Sequence, residues 1–259
     1  MIRVERRDIS KGGAGERSFV EVVMDRPEKR NALTVPMLNE MAAAVDMLGD
    51  EAAKGANFGA LVLRGEGRTF CAGFDMPACL DNPEMLGDML RGLSRVIRAL
   101  RRFPTPVVAA VQGGAVAGGC ALLCAADLVV TEPSAKIGYP VVRLGISPAV
   151  NAPAVLLVLP EHPARALLLD PGLISGAEAR RIGLARVLVD LPDDVVPRAH
   201  NEAMRLSMKP RAAVARTKAW LNEIDGSLDD AALDDALEAS LSIVGSAEQR
   251  VLLAEAFGA

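Results

Sequence analysis

The pattern of apolar and polar residues predicts mixed strands and helices in the first 190 residues. Short apolar runs bounded by turn residues predict strands at 1–9, 18–24, 59–65, 106–113 and 127–131. Apolar side chains at helical spacing predict helices over 36–48, 84–102 and 118–126. Thr34 is a candidate N-cap for the first helix, and the glycine-rich segment 10–15 a turn. Because most of these strands are continuously apolar, the pattern indicates an α/β core with a sheet covered on both faces.

After residue 190 only helical spacing remains. It predicts four helices, over 193–208, 211–224, 229–244 and 246–257. We therefore expect an α/β core over 1–190 and a helical region over 191–259. The apolar faces of that second region need a surface to cover, which is either the core or another subunit.

Composition narrows the class of protein. The chain has 259 residues, 51% hydrophobic and 24% charged, which is typical of a globular protein. Aromatic residues make up only 3%, which argues against carbohydrate-binding or base-stacking surfaces. The net charge of −4 argues against nucleic acid as a partner. The uncharged stretch 105–126 has the length of a membrane span, but its four glycines favour strand, loop and helix instead.

The cysteines and histidines give no indication of a metal site or a disulfide framework. The four cysteines form no CxxC pair, and the two histidines have no metal-ligand spacing to them. We expect buried, reduced thiols in a cytoplasmic protein, with no metal and no bound cofactor.

Two glycine-containing loops are the first candidates for chemistry. The loop 70–76 follows the predicted strand 59–65, and the loop 113–120 follows the next strand and opens a helix at Gly118. Such loops leave backbone N–H groups without partners, and two of them could form an oxyanion hole. The alternative is two tight turns where backbone passes close to backbone. Neither loop has the spacing of a dinucleotide or Walker A motif.

Five segments together resemble the enoyl-CoA hydratase/isomerase family of the crotonase superfamily. The resemblance extends from about residue 18 to residue 224, with the segments in the family's order. They are RPEKRNAL at 26–33, FCAGFD at 70–75, VQGGAVAGGC at 111–120, IGYPVVRLGI at 137–146 and SGAEARRIGL at 175–184.

The resemblance implies a crotonase-like spiral of ββα units with a C-terminal helical region used in trimerisation or as a lid. It also implies a homotrimer or dimer of trimers acting on a coenzyme A thioester. By position, Phe74 and Gly118 would supply the oxyanion-hole N–H groups, while Ala32 and Ala72 would meet the adenine. Lys29 and Arg30 would lie beside that site and could pair with CoA phosphates, with a solvated turn as the alternative. The remaining candidate substrate contacts are Asp75, Met76, Ala121 and Val141.

The sequence departs from the family where hydratases carry two glutamates as general acid and base. Ala121 and Val141 stand at those positions, and neither can transfer a proton. Tyr139 is a candidate substitute, with a satisfied core tyrosine as the alternative. Asp75 is expected to cap its own turn rather than act as a base. The acids Asp81, Glu84 and Asp88 could cover the site, or simply face solvent.

Three functions stay open from the sequence. The first is an acyl-CoA enzyme that stabilises a thioester enolate or oxyanion, in the lyase or isomerase class, with doubtful hydratase activity. The second is decarboxylation or thioester hydrolysis in the same pocket. The third is a non-catalytic acyl-CoA-binding subunit.

Overall fold

The computed structural model describes residues 1–8, 17–79 and 82–257. The predicted turn at 10–15 and the acid Asp81 lie outside these residues. The described residues form nine strands: β1 Ile2–Asp8, β2 Ser18–Met24, β3 Phe58–Gly65, β4 Val107–Val111, β5 Gly114–Val116, β6 Leu128–Thr131, β7 Lys136–Gly138, β8 Ile174–Ser175 and β9 Val187–Leu188.

The strands form a six-stranded sheet and a smaller three-stranded sheet. The large sheet has the order β1-β2-β3-β4-β6-β9, in which β1 is antiparallel and the other pairs are parallel. The small sheet has the order β5-β7-β8. The five strands predicted from hydrophobic runs are confirmed, with ends shifted by one or two residues. The prediction from hydrophobic runs missed β5, β7, β8 and β9, because two or three residues are too short to show a period.

Ten α-helices accompany the strands in the described residues. They are α1 Val35–Ala53, α2 Pro83–Arg102, α3 Gly118–Cys124, α4 Ala152–Val158, α5 Glu161–Leu169, α6 Gly176–Ile182, α7 Val195–Ser207, α8 Arg211–Ile224, α9 Asp230–Leu241 and α10 Ala247–Phe257. The Thr34 side chain accepts a hydrogen bond from the Met37 N–H at 3.3 Å, so the predicted N-cap of α1 is confirmed. No helix of the described chain is long and apolar enough to cross a membrane.

Apolar side chains cover both faces of the large sheet, as the continuous apolar strands predict. One face and α1, α2 and α3 share the main core. The opposite face packs Val62, Val108 and Val130 against Val195 and Ala199 of α7. The α/β prediction is confirmed. The first helix after residue 190 therefore packs against the sheet of the preceding region.

The topology brings three loops together at one edge of the large sheet. Strands β2, β3 and β4 are parallel neighbours, so their carboxyl ends meet at the same edge. The connecting segments that follow them are 25–34, 66–75 and 112–117, the last of which contains β5. Such an edge is the usual place for a ligand in parallel sheets.

Asn31 clamps the first two of these loops. Its side chain is fully buried; its Oδ1 accepts from the Arg26 N–H at 2.9 Å. Its Nδ2 donates to the carbonyls of Glu66 at 2.9 Å and Thr69 at 2.7 Å. The backbone at Asn31 has a φ of 55°, a left-handed conformation that asparagine tolerates better than most residues. One side chain therefore fixes the geometry of both loops.

A buried ion cluster joins the sheet to α7. Glu21 on β2 is fully buried, and its carboxylate contacts Arg64 at 2.5 Å, His200 at 3.2 Å and the guanidinium of Arg7. Burial alone would raise the pKa of Glu21. The neighbouring His200, Arg64 and Arg7 groups outweigh burial and hold that pKa at about 2.

Replacing Asn31 by alanine is expected to lower the free energy of unfolding by about 3 kcal/mol. The change removes three hydrogen bonds and leaves a left-handed backbone residue without its stabilising side chain. Urea denaturation would measure it. The matched control is Asn201→Ala on the exposed face of α7, expected to stay within about 0.5 kcal/mol of the wild type. Equal stability of the two variants would contradict the clamp.

Replacing Glu21 by glutamine is expected to cost about 3 kcal/mol of stability at pH 7, since Arg7 and Arg64 would lose their buried counter-charge. The pKa of Glu21 is lowered from 4.5 to about 2 by folding. Its stabilisation is therefore complete above about pH 5 and is lost as the pH falls toward 2. The stability gap between wild type and variant should narrow over that window in denaturation curves. A gap that stays constant from pH 7 to pH 3 would overturn this assignment.

Candidate active site

Backbone hydrogen bonds join the three loops at the sheet edge. The Leu33 N–H donates to the Gly73 carbonyl at 2.7 Å, and the Ala72 N–H to the Arg30 carbonyl at 3.0 Å. The Cys71 N–H donates to the Gly114 carbonyl at 3.1 Å, which joins the segment after β3 to β5. The relative positions of the loops are therefore set by the main chain.

Glycines allow these segments to approach closely. A Cβ on Gly119 would lie 2.6 Å from the Cys71 carbonyl oxygen, and one on Gly73 would lie 2.9 Å from the Val116 oxygen. Gly73 also has a φ of +94°. Ala117, which follows Val116, has a φ of 53°, a conformation rare for a residue with a side chain. The strain at Ala117 lies immediately before Gly118.

The N–H groups of Phe74 and Gly118, which meet at this junction, have no backbone acceptor among the described residues. The two residues are in contact, since a Cβ on Gly118 would lie 3.2 Å from the Phe74 ring. Gly118 is the first residue of α3, where helix geometry leaves the N–H without an intrahelical partner. The two residues predicted as donors therefore lie close together.

A cavity of about 600 Å³ opens at this junction. All eleven residues selected from the sequence line it: Lys29, Arg30, Ala32, Ala72, Phe74, Asp75, Met76, Gly118, Ala121, Tyr139 and Val141. The cavity also has lining residues to which sequence analysis gave no role, among them Leu90, Leu93, Arg143 and Phe257. Arg143 could have been selected from the sequence, because it stands two residues after Val141 within a segment that resembles the family.

Ala121 and Val141, which the resemblance places where hydratases carry glutamates, are apolar positions in the structure. Ala121 lies on α3 with 1% of its surface exposed, and Val141 lies on the 3-10 turn Pro140–Leu144. Both side chains line the cavity, so any carboxylate needed for proton transfer must come from elsewhere. Glu84 and Asp88 line a separate surface groove with Arg91, so the structure does not bring them into this cavity.

The two carboxylates that line the cavity both face Arg26. The Asp75 carboxylate accepts a hydrogen bond from the Arg26 guanidinium at 2.7 Å, and Glu28 lies 3.9 Å from the same group. The expectation that Asp75 caps its own turn stays a prediction. The residue pairs with an arginine 49 positions earlier in the chain, a contact that depends on the tertiary fold.

Tyr139 lines the cavity with its ring, while its hydroxyl belongs to a buried polar cluster. The hydroxyl accepts a hydrogen bond from the Asn151 amide and lies 3.7 Å from the Cys124 sulfur. Burial raises the pKa of Tyr139 well above its usual value, so the phenol is neutral at physiological pH. A neutral phenol can donate a proton or a hydrogen bond, but it is a poor general base.

All four cysteines are buried and free, as expected from their spacing. Burial raises the pKa of Cys71 to about 12 and that of Cys79 to about 11. A protonated, enclosed thiol is a weak nucleophile. Within the described residues no cluster of His, Cys, Asp and Glu has the arrangement to hold a metal ion.

Comparison with known proteins agrees with this geometry. The model of the enoyl-CoA hydratase/isomerase family matches residues 14–246. A crotonyl-CoA hydratase of Syntrophomonas wolfei is 33% identical over 212 residues, which cover 80% of this chain and 79% of the relative.

Solved structures show the same fold. An enoyl-CoA hydratase/isomerase from Xanthobacter autotrophicus Py2 has a TM-score of 0.80 at 28% identity, covering 93% of this chain and 90% of that one. OdaA from Pseudomonas aeruginosa also has a TM-score of 0.80 at 28% identity, covering 100% and 99%. The crotonase fold expected from the sequence is confirmed. The chain belongs to the enoyl-CoA hydratase/isomerase family of the crotonase superfamily.

Proposed function

We propose that this protein processes acyl-CoA thioesters by stabilising negative charge on the thioester oxygen with the N–H groups of Phe74 and Gly118. The observation that carries the proposal is that these two donors lack backbone acceptors where the two loops meet at the cavity. An enolate or tetrahedral intermediate places charge on one oxygen. Each preorganised donor in such a site typically contributes about 3 kcal/mol to the transition state.

The residues around the donors suit a CoA ester. Lys29 and Arg30 are exposed at the cavity and can pair with CoA phosphates, while Ala32 and Ala72 offer backbone groups to the adenine. Met76 and the apolar positions Ala121 and Val141 would contact the acyl group. CoA is then part of the substrate, and no separate cofactor is required by the proposal.

Hydration of an enoyl ester is expected to be slow. It needs a group that activates water and another that protonates carbon, and general acid–base groups usually contribute about 10²–10⁴-fold each. Ala121 and Val141 supply neither. Tyr139 is the remaining candidate acid, although its hydroxyl is engaged with Asn151 and Cys124.

Decarboxylation of a malonyl-type CoA ester is the alternative that the apolar lining favours. In this reaction the bond between Cα and the carboxyl carbon breaks, carbon dioxide leaves, and the electron pair forms the thioester enolate. Solvent can then supply the proton. The enzyme must stabilise the enolate but needs no strong base, which matches a site with two donors and no unpaired carboxylate. Thioester hydrolysis would use the same donors for a tetrahedral intermediate.

We also propose that the protein works in the cytoplasm as a homotrimer or a dimer of trimers. Four buried, free cysteines support a reducing compartment. Helix α8 exposes Trp220, Leu221 and Ile224, each by half or more of its surface, which supports contact with another subunit.

Incubation with a panel of CoA thioesters should separate the candidate reactions by product mass. The panel includes crotonyl-, longer enoyl-, malonyl- and methylmalonyl-CoA. We expect loss of carbon dioxide or release of CoA to exceed addition of water to crotonyl-CoA. Hydration at the rate of an efficient hydratase would contradict the role given to Ala121 and Val141, and Tyr139→Phe would then be tested. Tight binding with no product from any ester would favour a non-catalytic subunit.

Replacing Gly118 by proline should lower kcat/KM on the active ester by about 10²–10³-fold, because it removes one donor N–H. Proline is tolerated in the first helical position, so folding should persist and can be checked by circular dichroism. Gly118→Ala is the matched control, since it keeps the N–H. Its Cβ would lie 3.1 Å from Leu33 and 3.2 Å from Phe74, so only a small shift is needed. Equal losses in the two variants would argue against the donor role.

A further inference from the structure

Among the residues that the structure describes, the acidic side chains that line the cavity form ion pairs, whereas the basic side chains that line it do not. Its two carboxylates, on Glu28 and Asp75, both face Arg26. Three cations line the same cavity: Lys29, Arg30 and Arg143. None of the three makes an ion pair with another residue in the part of the chain that the structure describes. The cavity therefore has positive charge available to a ligand.

Arg143 is separated from the other two cations by its place in the fold. Lys29 and Arg30 belong to the loop after β2, which is bonded to Ala72. Arg143 lies on the turn Pro140–Leu144, which begins two residues after Gly138. The Gly138 carbonyl accepts a hydrogen bond from the Ala117 N–H at 2.8 Å, which joins this part of the chain to the residue before Gly118. This turn also carries Val141. Arg143 thus lines the cavity from a different segment than Lys29 and Arg30, two residues after Val141, and its side chain is exposed.

The backbone under Arg143 is firmly held. The turn ends at Gly145, whose φ of 66° reverses the chain and whose carbonyl accepts from the Gln249 side chain on α10 at 3.1 Å. A Cβ on Gly145 would lie 2.9 Å from the Gln249 Cα, so the two segments are in close contact. Ser147, two residues after Gly145, also lines the cavity. Its Oγ accepts a hydrogen bond from the Ala149 N–H at 3.2 Å. Its hydroxyl proton remains available as a second donor.

We propose that Arg143, assisted by Ser147, recognises a carboxylate at the far end of the acyl group. This inference rests on the proposed function and specifies its substrate class as a dicarboxylic acid bound to CoA as a monothioester. A guanidinium offers paired N–H donors that match both carboxylate oxygens. A neutral acyl chain gains nothing from the charge of Arg143, whereas a terminal carboxylate supplies the counter-ion that the cavity lacks.

The role is recognition and not bond breaking. A carboxylate paired with a guanidinium is stabilised as an anion, which disfavours its own loss as carbon dioxide. A dicarboxylic acid bound as a monothioester has only this one free carboxylate, so a substrate held by Arg143 keeps it and reacts at the thioester end, by enolate formation or thioester hydrolysis and not by decarboxylation. The apolar side chains Leu90, Leu93 and Val150 line the same cavity and would contact the methylene groups between the two ends.

Calorimetric titration with two esters of equal chain length tests the proposal. Glutaryl-CoA and pentanoyl-CoA differ by a terminal carboxylate, and free CoA serves as the reference ligand. We expect the wild type to bind glutaryl-CoA at least about tenfold more tightly than pentanoyl-CoA. Arg143→Gln should weaken glutaryl-CoA binding by about 10–100-fold and change pentanoyl-CoA by less than about threefold, because a hydrogen-bonded charge is lost only for the first. Ser147→Ala should give a smaller loss with the same selectivity.

The matched control is Arg165→Gln on α5, an exposed arginine outside the cavity, which should leave all three affinities unchanged. Equal weakening of both esters and of free CoA by Arg143→Gln would overturn the proposal and place Arg143 on a CoA phosphate. Unchanged affinities would overturn it as well. Failure of the wild type to bind any of the three ligands would instead refute the proposed function itself. Because the readout is binding, it does not depend on which reaction the enzyme performs.

Discussion

Close backbone contact between the loops after β3 and β4 is the constraint on which the site depends. At Gly73 and Gly119 any side chain would collide with the carbonyl of the other loop. The contact holds Phe74 against Gly118 and leaves their N–H groups without acceptors. The strained φ of Ala117 is part of the same arrangement, since the chain must turn there to begin α3. The site is thus built largely from main-chain geometry.

The parallel sheet makes that contact possible, and buried polar side chains then fix it. Neighbouring strands β2, β3 and β4 deliver three loops to one edge. Asn31 holds the first two loops in register, while Glu21 joins the same strands to α7 on the other face. The stabilisation that these two groups of contacts provide differs in its dependence on pH. The Asn31 hydrogen bonds involve neutral groups, whereas the Glu21 cluster needs an ionised carboxylate.

Sequence patterns predicted the longer strands and helices, and the family resemblance pointed to residues that line the cavity, whereas the short strands and Arg143 were missed. The apolar runs and helical periods are local properties, and glycine positions report local backbone requirements, so they can be recognised without the fold. Contacts between distant residues cannot. The pairing of Arg26 with Asp75 spans 49 positions, and the short strand β5 exists only because β7 is beside it. That Arg143 forms no ion pair with the residues that the structure describes is likewise a property of the assembled fold.

In the proposed function, main-chain and side-chain groups have separate roles, and this explains how the site could work without glutamates at 121 and 141. Oxyanion stabilisation depends on backbone N–H groups, which persist whatever side chains stand at 121 and 141. Proton transfer depends on those side chains alone. Ala121 and Val141 occupy their positions without leaving an unpaired buried charge, since both are apolar and line an apolar wall. Under the proposed function the fold would therefore keep enolate stabilisation and give up hydration, and its reactions would be those whose protons come from solvent or substrate.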